Sequence, residues 1–233
     1  MKNWTKKNYF EILFLLVLIG IIAIQFLPNL FKQETITIAI AVSTQDRAEN
    51  FTGGQIIDGV QLYFDKINAA GGVNGKQLLL EIHDDRLDPE VTAKEIVDSA
   101  AVAVLGHYTS KNSLEAGKIY QKYGIPAISG SATADKITNN KWYFRTIFSN
   151  TEQGKFLANY LEYVMNAKNI YTIYEDDPYS LTLTKAIKTQ LNSFDRQLVG
   201  EQKINRNENT EKATERIIQD LQRLKESGQN LDA

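Results

Sequence analysis

The residues best suited to chemistry gather in two short stretches, "AVAVLGHYTSKNS" over residues 101–113 and "IPAISGSAT" over residues 125–133. In each, an apolar run gives way to hydroxyl and amide side chains with almost no charge. Thr109, Ser110 and Asn112 stand where a helix is expected to begin. Backbone N–H groups at a helix start lack partners and carry partial positive charge, so hydroxyls and amides grouped there can hold a carboxylate without Lys or Arg. Ser131 and Thr133 close the second stretch in the same way. Plain capping by Ser110 and turn formation by Ser131 account for the same residues without a ligand. On composition alone that is the simpler reading.

Other clusters offer less. His83, Asp84 and Asp85 form an "HDD" run, but consecutive strand residues point to opposite faces and do not converge on one ion. "EDD" at residues 175–177 has the same defect, and Asp177 stands before Pro178 as a helix cap. His107 is the second of two histidines. No G-x-S-x-G elbow accompanies it, and neither the G-x-G-x-x-G nor the G-x-x-x-x-G-K-[ST] phosphate loop occurs. With no cysteine, thiolate catalysis and disulfides are excluded. A net charge of −2 gives no reason to expect nucleic acid. The expectation is a binding protein, not an enzyme, with no cofactor and no metal.

The elements that must position these stretches alternate strictly. In a chain of 233 residues, 43% hydrophobic and 23% charged, "TITIAIAV" reads as a buried strand. A helix over residues 54–70 places Ile56, Ile57, Val60, Phe64 and Ile67 on one stripe, and Gly71 and Gly72 end it. "QLLLEIHDD" is the next strand, and Asp88-Pro89 starts the next helix. Strands follow at residues 102–106 and 126–129 around a helix at 114–123, then "WYFRTIF". Ser149 and Glu152 have capping-box spacing before a helix carrying Leu157, Tyr160, Leu161 and Val164. "IYTIYEDD", the Asp177-Pro178 helix, a strand near residues 198–204 and a last helix striped by Ala213, Ile217, Leu221 and Leu224 complete the chain. Such alternation means α/β architecture with parallel sheets covered by helices on both faces. In such sheets ligands sit beyond the carboxyl ends of the strands, where both hydroxyl stretches fall.

The N-terminus is of a different kind. Lys2, Lys6 and Lys7 precede an apolar run over residues 12–27 that lacks a small-residue cleavage site. With Leu30 and Phe31 it is long enough to span a bilayer. Lysines before the run place the N-terminus in the cytoplasm and the domain outside, as a single-pass membrane anchor; a signal peptide cleaved on export is the alternative.

The segments "DGVQLYFDKINAAGGVNGKQLLLEIHDDRLDP", "VLGHYTSKNSLEAGKIYQKYGIPAISGSATADKIT", "YFRTIFSNTEQGKFLANYL" and "IYEDDPYSLTLTKAIKTQL" follow one another in this order. Together they resemble the type I periplasmic binding proteins, in particular the leucine/isoleucine/valine-binding branch. The resemblance covers nearly everything after residue 35. It implies two doubly wound parallel-sheet lobes that close on a small solute, often an amino acid, and deliver it to an ABC permease; a sensory partner is the alternative. Carried onto this sequence, the ligand-binding residues are Ser110, Ser131, Ala132, Thr133 and Tyr179. The match is loose around Phe51 and Thr52, and Ser131 stands where glycine or alanine is commoner. The implied organisation is an N-terminal tail with anchor or signal at residues 1–32, lobe one at 33–147 with four strands, and a partial lobe two at 148–233. The family's next strand and the acidic partner for the ligand's ammonium would follow "SGQNLDA".

Overall fold

A computed structural model describes residues 13–19, 34–44, 52–86 and 88–233. Its first strand shows how alternation builds both layers at once. In β1 (Thr35–Val42) successive side chains face opposite sides of the sheet. Ile40 and Val42 point to one face and are sealed by Ile57 of α1 (Thr52–Ala69), with Val60, Leu80 and Leu105 around them. Ala39 and Ala41 point to the other. There they meet Ala93 and Ile96 of α2 (Pro89–Asp98) and Ala116 and Tyr120 of α3 (Ser110–Tyr123). Burying each of the larger side chains contributes about 1.5–3 kcal/mol.

With β2 (Gln77–Asp84), β3 (Ala101–Gly106), β4 (Ala127–Ser129) and β5 (Tyr143–Arg145), the first sheet is parallel throughout, in the order β2-β1-β3-β4-β5. The chain winds one way from β1 to β2 and the other way from β3 onward, so the strand order reverses between β1 and β3. That opens a crevice at their carboxyl ends. Tyr143–Arg145 pairs in register with Ala127–Ser129 and forms the fifth strand. The expected "WYFRTIF" strand shrinks to those three residues. Gly106, the last residue of β3, has φ +121°, and a Cβ there would lie 2.4 Å from the Ala41 carbonyl oxygen. Only glycine lets the two strand ends approach so closely.

The second sheet pairs β6 (Ile170–Glu175) with β7 (Leu198–Ile204), again in parallel. Helices α4 (Asn150–Tyr163), α5 (Pro178–Asn192) and α6 (Thr210–Glu226) belong to this half. Ala158, Ala167, Ile170 and Leu191 form its core. Gly154 sits where α4 crosses α5, and a Cβ there would fall 2.5 Å from that of Ala186. Along the other edge of β6, Ala233 donates its N–H to the Asn169 carbonyl (3.4 Å) and accepts from the Tyr171 N–H (2.8 Å). The Asn169 carbonyl also accepts from the Asp232 N–H at 2.9 Å.

The expected membrane span lies largely outside the described residues; of it, residues 13–19 are helical. Among the described residues no helix is long and apolar enough to cross a membrane. Residues 45–51 and the side chain of Thr52 also lie outside them.

Candidate functional site

The site begins with local capping. Thr109, not Ser110, caps α3, accepting from the Asn112 N–H at 3.1 Å. This corrects the capping reading of Ser110, and the reason is register: Ser110 is the first helical residue, so its side chain turns inward. It is 4% exposed, and its Oγ accepts from the Ala134 N–H at 3.2 Å. Ser131 is likewise not a self-contained turn. Its Oγ reaches across to donate to the Tyr108 carbonyl at 2.7 Å, which ties the β4 end to the β3 end. Ser129 completes that tie: its Oγ donates to the His107 carbonyl (2.8 Å) and accepts from the Ser131 and Ala132 N–H groups (3.3 and 3.0 Å). The two hydroxyl stretches, separate in sequence, therefore form one surface at neighbouring strand ends.

Ala132 and Thr133 lie in the middle of it, both buried. The Thr133 Oγ1 has no hydrogen-bond partner. A buried hydroxyl left in this condition costs about 1–3 kcal/mol relative to a satisfied one. The Thr133 carbonyl, by contrast, accepts from the Arg145 guanidinium (3.1 Å) and from the Asn150 N–H (2.8 Å). Arg145, which sequence reading passed over, thus brings positive charge beneath a cluster that reads as neutral.

Asn150 is the link to the second half. It is fully buried at the first position of α4, where the Ser149 cap leaves its N–H free for Thr133. Its Nδ2 donates to the Tyr179 carbonyl at 2.8 Å and to the Thr182 hydroxyl at 2.5 Å. Tyr179 lies in the first turn of α5, whose cap Asp177 accepts from the Tyr179 and Ser180 N–H groups at 2.8 and 3.2 Å. Tyr179 is 39% exposed, with Gln153 Nε2 at 3.5 Å from its hydroxyl. Ser110, Ser131, Ala132 and Thr133 are brought together directly, and Tyr179 joins them through Asn150. Nothing in composition marks Asn150; its only signal is its place immediately after the Ser149 cap.

The "HDD" side chains diverge. His83 meets Glu81 at 2.9 Å. Asp84 meets Thr44 and Arg86, and the Arg86 guanidinium holds its pKa down to about 2. Asp85 turns inward to His107 at 2.8 Å. Two surface hollows, of about 360 and 220 Å³, lie elsewhere. The first is lined by residues such as Lys188, Arg196 and Glu201, the second by Ser113, Lys136 and Asn140. Neither includes a predicted site residue.

A family model described as "Periplasmic binding protein" matches residues 35–221. The chain belongs to that family. An amino acid binding protein of Pseudomonas aeruginosa is 32% identical over 148 residues, covering 61% of this chain and 40% of the relative. The Leu/Ile/Val-binding protein of Escherichia coli is 28% identical over 180 residues, covering 75% of this chain and 48% of the relative. Among solved structures, an ABC transporter substrate-binding protein from Desulfitobacterium hafniense in complex with Leu matches with a TM-score of 0.66 at 26% identity, over 84% of this chain and 57% of the other. A branched-chain amino acid transporter substrate-binding protein of Streptococcus pneumoniae, in complex with isoleucine, matches at 0.66 and 27%, over 79% and 54%. This periplasmic binding protein spans about half the length of the curated relatives it matches. Its family is one of binding proteins, in keeping with a site built from hydroxyls and backbone groups.

Proposed function

We propose that the protein is the extracytoplasmic solute-binding component of an ABC transport system and takes an amino acid, or a similar small zwitterion, at the crevice between its two halves. The observation that carries this reading is the Thr133 hydroxyl, buried and unpartnered beside the start of α3. A ligand carboxylate would accept from it and from the Ser110 hydroxyl, whose oxygen already accepts from Ala134 and whose proton remains to donate. The α3 N-terminus and the nearby Arg145 favour the same negative charge. Tyr179 supplies an aromatic wall from the second half. The leucine and isoleucine complexes of the structural relatives support a branched aliphatic side chain on the ligand.

The second half contributes two paired strands among the described residues, with Ala233 bonded along the other edge of β6. The N-terminal basic and apolar segment delivers the domain across the membrane, and its removal on export fits the family better than retention as an anchor.

Calorimetry of the full chain with a panel of amino acids tests the ligand class. Binding of leucine, isoleucine or valine supports it. Failure of every zwitterion, with binding of a sugar or peptide instead, would sink it. Mass spectrometry of the exported protein tests the leader: a mature N-terminus beyond Leu27 indicates cleavage, and an intact Met1 in the membrane fraction indicates an anchor.

A further inference from the structure

Beneath the hydroxyl surface lies a buried polar cluster to which the binding reading gives no role. His107 is fully buried, and Asp85, Tyr120, Tyr143, Ser113 and Ser129 are each at most 2% exposed. The His107 ring bridges two of them, with Nδ1 2.8 Å from the Asp85 carboxylate and Nε2 2.8 Å from the Tyr120 hydroxyl. A carboxylate accepts, so Nδ1 carries a proton toward Asp85, while Nε2 shares its hydrogen bond with the Tyr120 hydroxyl; the two partners select one ring orientation. The backbone of the same residue is held as fully. Its N–H donates to the Tyr143 hydroxyl at 2.6 Å, and its carbonyl accepts from Ser113 (3.1 Å) and Ser129 (2.8 Å). The Asp85 carbonyl in turn accepts from Asn112 in the first turn of α3 (3.0 Å).

These partners come from the ends of β2, β3 and β4, from α3 and from β5, and His107 is where they meet. It immediately precedes Tyr108, whose carbonyl holds Ser131, and lies three residues before Ser110. Its partner Ser129 also holds the Ser131 and Ala132 amides. An apolar side chain would fill the volume at lower desolvation cost. What the polar cluster adds is direction, since each hydrogen bond admits one geometry whereas hydrophobic contact admits many.

We propose that His107 is a positioning residue for the ligand site: through Asp85 and Tyr120 it fixes the relative placement of the segment Tyr108–Thr109–Ser110 and the segment Ser131–Ala132–Thr133. This deepens the amino-acid-binding reading and rests on it only for the affinity measurement below; the exchange measurement needs no ligand.

The test uses the full chain and the variants His107→Leu, His107→Asn and Tyr120→Phe. Hydrogen exchange of the ligand-free protein reads the amides of His107, Asn112, Ser131, Ala132 and Ala134, all bonded within or beside the cluster. Calorimetry with leucine reads affinity, and thermal melting reads stability. For His107→Leu, exchange at these amides should quicken about tenfold or more while β1 and α5 stay protected, and leucine affinity should fall by a similar factor. His107→Asn keeps a donor for Asp85 at the Nδ1 position and should recover part of both losses, which a role in packing alone does not predict. A lower melting temperature with unchanged local exchange and unchanged affinity would overturn the proposal. Should His107→Leu not fold, Tyr120→Phe removes a single hydroxyl and carries the same expectation, and unaltered exchange in that variant overturns it equally. If the parent chain binds no amino acid, the ligand reading fails while the exchange result still decides this one.

Discussion

Replacing Thr133 by valine keeps the shape of the side chain and removes only its hydroxyl, and the structure predicts effects of opposite sign on stability and on binding. In the free protein Oγ1 is buried without a partner. Removing it relieves an uncompensated polar group, a cost of about 1–3 kcal/mol in proteins. For a chain of this size each kcal/mol moves the melting temperature by about 2–4 °C, so Thr133→Val should melt about 2 °C or more above the parent. In the complex the same hydroxyl would face a carboxylate. A hydrogen bond to a charged group is worth about 1.5–3 kcal/mol, which predicts a loss of affinity for leucine of about 10- to 150-fold. Thermal melting without ligand and calorimetry with it, on the same preparation, read both signs. Thr189→Ala is the control, since that hydroxyl is on an exposed turn of α5, bonded to the Lys185 carbonyl, and should change neither by more than about 0.5 kcal/mol. Unchanged affinity in Thr133→Val would refute the placement of the carboxylate. A fall in both stability and affinity would show that the hydroxyl is structural.

Gly154→Ala would drive a methyl into Ala186 and the backbone of Ile187 across the α4–α5 crossing, and should destabilise the second half by about 1–3 kcal/mol, seen as faster exchange in α4 and α5 with the first sheet unaffected. Asp177→Ala removes the cap of two α5 amides and should cost about 1 kcal/mol; because Tyr179 is in that first turn, leucine affinity should fall as well. Burial pushes the phenols of Tyr120 and Tyr143 well above the ordinary tyrosine value of about 10. Their folded values exceed their unfolded ones, so their contribution is complete below pH ~10 and is lost as pH rises further, at about 1.4 kcal/mol per pH unit for each phenol. Urea denaturation between pH 9 and 11 should show that decline, and Tyr120→Phe should make it shallower; an identical slope in the variant would refute the assignment.

What the amino-acid sequence determined by itself is what neighbouring residues decide between them. Asp88-Pro89, Ser149 and Asp177-Pro178 cap their helices as the local pattern implies, because a cap needs only a side-chain oxygen two or three residues from a free N–H. The alternation of strands and helices, and with it the position of both hydroxyl stretches at strand ends, follows from hydrophobic period for the same reason. Tertiary structure decided the rest. Thr109 rather than Ser110 became the cap through a shift of one residue, which composition does not encode and which turns Ser110 into the interior. The strand expected over "WYFRTIF" was cut to Tyr143–Arg145, the three residues that pair with β4. His107 read as an isolated histidine and Asp85 as the end of an acidic run. They are 22 positions apart and meet because β2 and β3, which flank β1 in one parallel sheet, end at the same edge, with Tyr120 brought to them by a helix from the neighbouring layer. Contacts of that kind depend on which face of which element each residue occupies, and that is settled when the layers pack.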